Sequence, residues 1–241
     1  MLIDFNCEIH GSNKLELTQY QESVFNSRKD APHAIETWIK EDLECPICFK
    51  VKDDEFKRSI CGVPLRFKQC TFENFDDCKE KKLVIDYAKS FKSNSELGTS
   101  LILCGATGRG KTHLTSALIF DLIDKNSTRC IYTKAFDLLR EVKNTYNKSC
   151  KYTFSDIQEK YAEVDLLAID EVGVQFGSDT EKQILFEIIN DRYENLKPTI
   201  LITNLSLTNL KEFAGDRVID RMKENGGKII VFAGESYRGR K

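Results

Sequence analysis

The stretch of the sequence with the clearest chemical meaning is an eight-residue run that fits the pattern G-x-x-x-x-G-K-[ST] at every fixed position, Gly105-Ala106-Thr107-Gly108-Arg109-Gly110-Lys111-Thr112. The glycines let the chain wrap around an anion so that backbone N–H groups point at it, and the N-terminus of a following helix adds partial positive charge. We expect Lys111 to face solvent and to reach the outer phosphates of a nucleotide, and the Thr112 hydroxyl to bind Mg²⁺. The motif therefore predicts a nucleotide-binding loop.

Two carboxylates and one amide are placed where they could act on such a nucleotide. Asp170 and Glu171 come at the end of the apolar run VDLLAID (164–170), and Asn204 follows the apolar run PTILIT (198–203). In a parallel sheet, ligands lie beyond the carboxyl ends of the strands. We expect Asp170 to hold the water shell of Mg²⁺, Glu171 to orient and deprotonate an attacking water, and Asn204 to reach the γ-phosphate. The acidic pair favours hydrolysis over phosphoryl transfer to a metabolite hydroxyl.

These residues need a framework of strands and helices, and the apolar pattern predicts one from about residue 99 onward. Strands are predicted at 100–105, 129–134, 164–170, 198–203 and 228–233. Helices are predicted at 80–95, 113–123, 136–146, 181–196 and 207–222, the last with a break near Gly215. Strands that are apolar at consecutive positions and alternate with helices are typical of an α/β fold, with a parallel sheet covered by helices on both faces.

Composition and charge limit the class of protein. The chain has 241 residues, of which 41% are apolar and 31% charged, and its net charge is −2. These values suit one medium domain, or one domain with a small appendage. They are typical of water-soluble proteins without an overall basic field for nucleic acid. No run approaches the roughly 18 apolar residues of a membrane span, and no signal peptide is apparent at the start. We therefore expect a cytoplasmic protein with no membrane partner.

Two pairs of residues near the start have the spacing of metal ligands. Cys7-x-x-His10 and Cys45-x-x-Cys48 share a two-residue gap, which lets both ligands of a turn meet one ion, and Cys₃His is a known ligand set for structural Zn²⁺. Nine cysteines without a secretion signal favour metal over disulfides. Buried thiols without a metal are the alternative. Three further cysteines remain rival ligands: Cys61, Cys70 and Cys78.

The segment GDRVIDRM (215–222) carries an unusual charge pattern. Arg217 and Arg221 are four residues apart, about one helical turn, and Asp216 and Asp220 accompany them. Like charges stacked in this way repel each other unless each meets an acid or an external anion. A solvated helix face with Asp–Arg pairs is one interpretation, and an anion site is the other. The eight residues alone leave both interpretations open.

Taken together, the motifs resemble those of the helicase-loader ATPases of the DnaC group within the AAA+ class. The resemblance covers about residues 60–241 and includes the entry segment GVPLRFKQCTFENF (62–75). It is carried by GATGRGKTHL, VDLLAIDEVGVQ, LITN, GDRVIDRM and SYRGR. It implies an AAA+ core with five parallel strands, bound ATP with Mg²⁺, and self-association into a ring or spiral. It also implies that the protein binds the hexameric replicative DNA helicase and helps to place it on single-stranded DNA.

The resemblance also implies roles for three arginines. In AAA+ assemblies a late helix of one subunit faces the nucleotide of its neighbour, where an arginine stabilises the charge that builds up on the γ-phosphate. Arg221 is the candidate for this arginine finger, with Arg217 assisting or bracing the interface. Arg238, in SYRGR, would contact the phosphates as the second sensor.

DNA contacts are expected on the side of the central channel. Tyr146 would end a helix that borders this channel and would stack on a base without reading its identity. Ser178 and Thr180, in the polar loop after Glu171, would bond DNA phosphates.

The amino-terminal cysteines also resemble the helicase loaders, which often combine C-x-x-H-G, a tryptophan and C-P-x-C. Trp38 takes the middle place here. The resemblance implies one Zn²⁺ held by the set Cys7, His10, Cys45 and Cys48. It also implies two domains: a zinc-binding, helicase-interaction module at residues 1–60 and an AAA+ ATPase domain at residues 61–241.

Two other functions remain open at this point. A transposase-helper ATPase of the IstB type would perform the same chemistry for a different client. A nucleotide-gated adaptor, with little turnover, would act only through its contacts with other proteins. Glu171 and Arg221 favour hydrolysis over gating, and we expect this hydrolysis to be slow in the isolated chain.

Overall fold

The structure is a computed structural model that describes residues 2–7, 9, 11–28, 38, 45–147, 149–174 and 178–237. The chain divides into two units, Met1–Phe56 and Lys57–Lys241. None of the helices in the described ranges has the length and the apolar composition needed to cross a membrane.

The smaller unit contains a hairpin and helices that the weakly periodic sequence did not predict. Strands β1 (Leu2–Cys7) and β2 (Gly11–Glu16) pair antiparallel, with Cys7 opposite Gly11. Helices α1 (Gln19–Arg28) and α2 (Pro46–Ile60) follow, and residues 57–60 of α2 already belong to the larger unit. Among the described residues of the smaller unit, those buried in its core are Ile3, Leu17, Trp38 and Cys45.

The larger unit is organised around one parallel sheet, as predicted. Its strands are β3 (Leu101–Cys104), β4 (Cys130–Lys134), β5 (Leu166–Val172), β6 (Thr199–Thr203) and β7 (Lys228–Val231). They lie in the order β4-β5-β6-β3-β7, and every neighbouring pair is parallel. The carboxyl ends of β5, β6 and β3 are therefore adjacent at one edge of the sheet, which brings the predicted acids, the predicted amide and the phosphate loop together.

Helices cover both faces of this sheet. They are α3 (Lys79–Lys89), α4 (Phe91–Leu97), α5 (Lys111–Asn126), α6 (Ala135–Asn144), α7 (Phe154–Ala162), α8 (Asp179–Glu194), α9 (Leu207–Ala214) and α10 (Asp216–Lys223). Side chains of α3, α4 and α5 pack on one face with the entry segment, and those of α6 to α10 pack on the other. Both apolar faces are thus buried, which explains why the strands lack a polar alternation.

The structure tests two sequence expectations about helices and adds one helix that was not expected. The break near Gly215 is confirmed, since α9 ends at Ala214 and Gly215 has φ of 85°. The prediction of one helix over 80–95 is wrong, because the chain bends at Ser90 between α3 and α4. The Asn94 amide donates to the carbonyl oxygen of Tyr87 at 3.0 Å, which satisfies a carbonyl that the break releases. Helix α7 was not predicted.

A buried guanidinium holds the opposite edge of the sheet. The Arg192 side chain is fully buried, and burial lowers its pKa to about 9. Its donors meet the carbonyl oxygens of Tyr161, Ala162, Val164 and Pro198 and the hydroxyl of Thr199. Arg192 therefore connects the end of α7 and the residues before β5 to the start of β6.

Candidate functional site

The loop between β3 and α5 has a shape that only glycine permits at two positions. Gly105 has φ of 139° and Gly110 has φ of 85°. A Cβ atom on Gly105 would lie 2.4 Å from the carbonyl oxygen of Phe232, and one on Gly110 would lie 2.3 Å from the ring of Phe75. Both glycines are required by close neighbours as well as by their backbone angles.

The same loop is connected to the carboxyl-terminal segment of the chain. The Arg109 guanidinium donates to the carbonyl oxygen of Phe232 at 2.7 Å, so this side chain has a partner within the protein. The backbone N–H of Tyr237 donates to the carbonyl oxygen of Gly108 at 2.8 Å. The side chains of Ala106 and Thr107, by contrast, are exposed at the mouth of the loop.

Lys111 departs from the expectation that it faces solvent. It is 5% exposed, and its Nζ donates to the carbonyl oxygens of Gly105 at 2.5 Å and Ala106 at 2.9 Å. It also donates to Oδ1 of Asn204 at 2.9 Å. An ammonium carries three donors and is costly to bury without acceptors, so the loop carbonyls and the amide after β6 enclose it. The structure thus brings Asn204 to the phosphate loop, and its contact with the γ-phosphate stays a prediction.

A hydroxyl and a carboxylate meet directly beside the loop. The Thr112 hydroxyl donates to Oδ2 of Asp170 at 2.8 Å, and the Tyr132 hydroxyl donates to the same oxygen at 2.5 Å. Burial, followed by the charge of Asp170, raises the pKa of Tyr132 well above its usual range, so this hydroxyl remains a donor. Hydroxyl and carboxylate oxygens are ligands that Mg²⁺ prefers. The pair therefore fits the expected metal.

Glu171 is turned outward by an irregularity in β5. The strand continues to Val172, two residues beyond its predicted end, and its pairing with β6 shifts register between Ile169 and Val172. Glu171 itself has φ of 59°. Its carboxylate lies 3.1 Å from Nζ of Lys134, and the side chain is 44% exposed. A bulge of this kind re-aims a side chain, and here it leaves a carboxylate accessible to water next to Asp170.

The two arginines of GDRVIDRM lie in different environments on α10. Arg217 is exposed, whereas Arg221 is partly buried, with its guanidinium carbon 4.6 Å from the centroid of the Phe186 ring. Within the described part of the chain, neither arginine forms an ion pair with Asp216 or Asp220. The pattern of Asp–Arg pairs on a solvated face is therefore not what the structure shows. Arg238 lies outside the described residues.

Comparison with known proteins assigns the chain to a family of ATP-binding proteins. Residues 64–241 match the profile of a family described as IstB-like ATP binding protein. The replicative helicase loader DnaC of Buchnera aphidicola subsp. Baizongia pistaciae is 36% identical over 182 residues, which cover 73% of this chain and 72% of the relative. This chain belongs to the IstB-like ATP-binding family.

Two solved structures show which fold the family member adopts. The crystal structure of the DnaC helicase loader aligns with a TM-score of 0.62 at 23% identity, covering 70% of this chain and 99% of that one. The replication initiator DnaA bound to AMPPCP and single-stranded DNA aligns with a TM-score of 0.59 at 25% identity, covering 72% and 51%. The larger unit of this IstB-like protein is thus an AAA+ P-loop core with a five-stranded parallel sheet.

Three of the four predicted zinc ligands of this family member lie together. The sulfur atoms of Cys7, Cys45 and Cys48 are all within 4.8 Å of one another, and those of Cys7 and Cys48 are 3.7 Å apart. Ligands on a tetrahedral Zn²⁺ with Zn–S bonds of about 2.3 Å would be separated by about 3.8 Å. Desolvation and the neighbouring sulfurs of Cys7 and Cys45 raise the pKa of the Cys48 thiol to about 11.

The fourth predicted ligand, His10, lies outside the described residues, so its role as a zinc ligand stays a prediction. Cys7 ends β1 immediately before the hairpin turn, and Cys45 and Cys48 flank the start of α2. The hairpin and the first turn of α2 therefore bring residues 38 positions apart to one point. The thiols fit Zn²⁺ in their chemistry and spacing.

The residues expected to contact DNA lie after the end of α6 and at the start of α8. Tyr146 follows the end of α6 by two residues and is 64% exposed. Ser178 is the N-cap of α8 and accepts from the backbone N–H of Glu181, and Thr180 lies in the first turn of that helix. The interpretation of Thr180 as a loop residue is therefore wrong, since a capping box starts the helix at Asp179, whereas Ser178 precedes the helix as its N-cap.

Sequence reasoning missed several side chains that shape the site. Tyr132 and Lys134 come from β4, whose sequence carries no motif, and they reach the two acids only because β4 pairs with β5. The Phe75 ring lies against Gly110 and leaves no room for a side chain there, and the Phe186 ring lies beneath Arg221. The pairing of neighbouring strands was the one signal that could have found Tyr132 and Lys134.

We predict that Lys111→Ala weakens ATP binding by about 10- to 150-fold. Charged hydrogen bonds of this kind contribute about 1.5–3 kcal/mol each, and Lys111 would exchange its carbonyl acceptors for phosphate oxygens. Calorimetric titration with ATP and Mg²⁺ measures the change. Lys151→Ala, which removes an exposed lysine, serves as the matched control, and both variants are compared with the parent by thermal unfolding. An unchanged ATP affinity in a folded Lys111→Ala protein would contradict the assignment of the phosphate loop.

We predict one zinc ion per chain, measured by native mass spectrometry of protein purified without chelator. Cys45→Ser should lose the ion, because a thiolate ligand disappears and the hairpin is no longer tied to the start of α2. Cys150→Ser removes a thiol of the larger unit and should keep the ion. A well-folded parent protein without metal would refute the zinc site, and zinc loss in both variants would refute the ligand assignment.

Proposed function

We propose that this IstB-like family member is an ATP-dependent loader that places the replicative DNA helicase on single-stranded DNA. The observation that carries the proposal is the similarity to a helicase loader over most of the chain. It is supported by a phosphate loop at which Lys111 contacts Asn204 and Thr112 contacts Asp170. We propose that the protein is located in the cytoplasm.

Nucleotide binding begins at the phosphate loop. The backbone N–H groups of residues 105–112 and the N-terminus of α5 would face the phosphates, and Lys111 would move its donors from the loop carbonyls to phosphate oxygens. Thr112 and Asp170 would hold Mg²⁺, which neutralises negative charge on the phosphates when bound. Asn204 already contacts Lys111 and would sense the same phosphate from β6.

Hydrolysis would depend on Glu171. Its carboxylate is accessible, lies beside the buried Asp170, and is held at one side by Lys134. We propose that it orients and deprotonates the attacking water. We propose that hydrolysis by the chain alone is slow, because the arginine finger would come from a neighbouring chain.

Arginines would complete the site across a subunit interface. We propose that chains associate side by side into a ring or spiral, and that Arg221 of one chain stabilises the transition state at the nucleotide of the next. Arg217, one turn earlier and exposed, would brace the interface. Arg238 would contact the phosphates from the carboxyl-terminal segment, which the hydrogen bond from Tyr237 to Gly108 already directs to the loop.

Contact with single-stranded DNA is proposed at the paired ends of α6 and α8. Lys143 forms an ion pair with Glu181 at 2.8 Å, so the residues after α6 and the start of α8 are neighbours. The exposed Tyr146 ring can stack on a base. Thr180 can bond a phosphate through its hydroxyl, and Ser178 can do so while its Oγ caps the helix.

The amino-terminal module is the proposed contact for the helicase. We propose that residues 1–60 form a zinc-binding unit and that residues 61–241 form the ATPase unit. A structural Zn²⁺ on Cys7, His10, Cys45 and Cys48 would hold the hairpin and α2 in a fixed geometry for protein recognition.

The loading assignment is tested with the hexameric replicative helicase of the same organism, circular single-stranded DNA, ATP and Mg²⁺. We predict that the chain increases the helicase that elutes with the DNA circles in gel filtration several-fold, because a closed hexamer does not thread a circle by itself. Lys111→Ala should remove this increase. A chain that neither binds the helicase nor changes its loading would overturn the proposal.

We predict that Tyr146→Ala weakens single-strand binding in the presence of ATP by about 5- to 150-fold, the equivalent of the 1–3 kcal/mol that base stacking contributes. Tyr152→Ala is a matched control, because Tyr152 is also 64% exposed. Fluorescence anisotropy with a labelled oligonucleotide measures the affinity. Equal losses in both variants, or none in either, would remove Tyr146 from the site.

A transposase-helper function is the second candidate, and the description of the matched family profile favours it. The chemistry at the phosphate loop would be the same, and the client would differ. Retention of a transposase by the immobilised chain, with no retention of the helicase in the same experiment, would select this function.

A further inference from the structure

Arg221 lies across two aromatic rings of its own chain. Its guanidinium carbon is 4.6 Å from the ring centroid of Phe186 and 5.4 Å from that of Tyr193. These aromatic residues are seven positions apart on α8 and therefore share one helix face. The Tyr193 hydroxyl donates to the carboxylate of Glu224, in the turn after α10, so the second ring is connected to the element that carries Arg221.

One donor of this guanidinium is left without a partner. The Nη1 atom of Arg221 is buried and has no hydrogen-bond acceptor among the residues that the structure describes. A guanidinium has five N–H donors in its plane, and a ring beneath that plane accepts none of them in the usual geometry. A buried donor without an acceptor destabilises the protein. An oxygen supplied from outside the chain would remove this cost.

The surface next to the rings is suited to a negatively charged group. Phe186 lines a cleft of about 330 Å³, whose other lining residues include Lys182, Arg217 and Asp216. The Asp216 carboxylate lies 3.2 Å from the Lys211 ammonium, which offsets its charge. Lys182 and Arg217 thus give this cleft a positive character. Arg217 lies one helical turn before Arg221 on α10.

We propose that Phe186 and Tyr193 are positioning residues that hold Arg221 ready for the phosphates of a neighbouring chain's nucleotide. The proposal rests on the proposed function, because a second copy of the chain must supply that nucleotide. An arginine side chain that is ordered only on contact loses rotamer entropy at that moment. Stacking on a ring orders the guanidinium beforehand and keeps its in-plane donors available.

The test uses two variants that are each inactive alone and complement each other. Arg221→Ala keeps Glu171 in its own site, and Glu171→Gln keeps Arg221 for its neighbour, so mixed assemblies should recover ATP hydrolysis. Phe186→Leu is then added to one partner at a time. In the Glu171→Gln chain it should lower the recovered rate by about 2- to 30-fold, the range that one cation–π contact represents. In the Arg221→Ala chain, which has no guanidinium to position, it should leave the recovered rate unchanged.

This asymmetry distinguishes positioning from general stability, because a folding defect would act in either partner. Phe186→Tyr, which keeps the ring, should restore the rate in the Glu171→Gln chain. Phe136→Leu in that chain is the matched control, since the Arg140 guanidinium lies over the Phe136 ring on α6 in a similar contact. Native mass spectrometry checks that every pair co-assembles to the same extent.

Each other outcome overturns a defined part of the account. If Phe186→Leu has no effect in the Glu171→Gln chain, or an equal effect in both chains, the rings do not position Arg221. If the two parent variants co-assemble but recover no hydrolysis, Arg221 does not act between chains, and the positioning role falls with it. Helicase loading is measured separately, so its failure is distinguishable from both results.

Discussion

The buried ammonium of Lys111 is the interaction on which the site depends. It is 5% exposed, and its acceptors are two loop carbonyls and the amide of Asn204, with no carboxylate among these three. A charge removed from water is costly unless it is well solvated by the protein. The shape of the loop, the start of α5 and the end of β6 are therefore fixed around one nitrogen atom. In our proposal, a polyphosphate would replace these acceptors as the partner of the ammonium.

The order of the strands extends this constraint to the rest of the molecule. Because β5 and β6 are neighbours and β3 follows β6, Asp170 meets the Thr112 hydroxyl and Asn204 meets the Lys111 ammonium. At the opposite edge, Arg192 connects α7 to the starts of both strands and holds their register. On α10, Arg221 rests on the Phe186 ring of α8. In our account, the chain thus carries both a nucleotide site and an arginine finger for its neighbour.

The sequence predicted the parts of this arrangement that are local. The glycine pattern of the loop, the apolar strands and the break at Gly215 depend on neighbouring residues in the chain, and each was found in the structure. The bend at Ser90 was missed because the apolar periodicity continues across it. The hydrogen bond from the Asn94 amide to the Tyr87 carbonyl oxygen, which compensates for the interrupted helix, has no signature in that periodicity. The burial of Lys111 was also missed, because the motif says nothing of which protein oxygens enclose the ammonium. Contacts between distant elements have no signature in a single sequence.

The central claim is that the nucleotide of one chain is hydrolysed with an arginine from the next, and the concentration dependence of the ATPase rate tests it most directly. The rate per chain would be measured from dilutions at which light scattering reports monomers to concentrations at which chains associate. Our account predicts that the rate per chain rises with concentration and then levels off, and that Arg221→Ala stays flat and low throughout. A parent rate per chain that is the same in monomers and assemblies would contradict it.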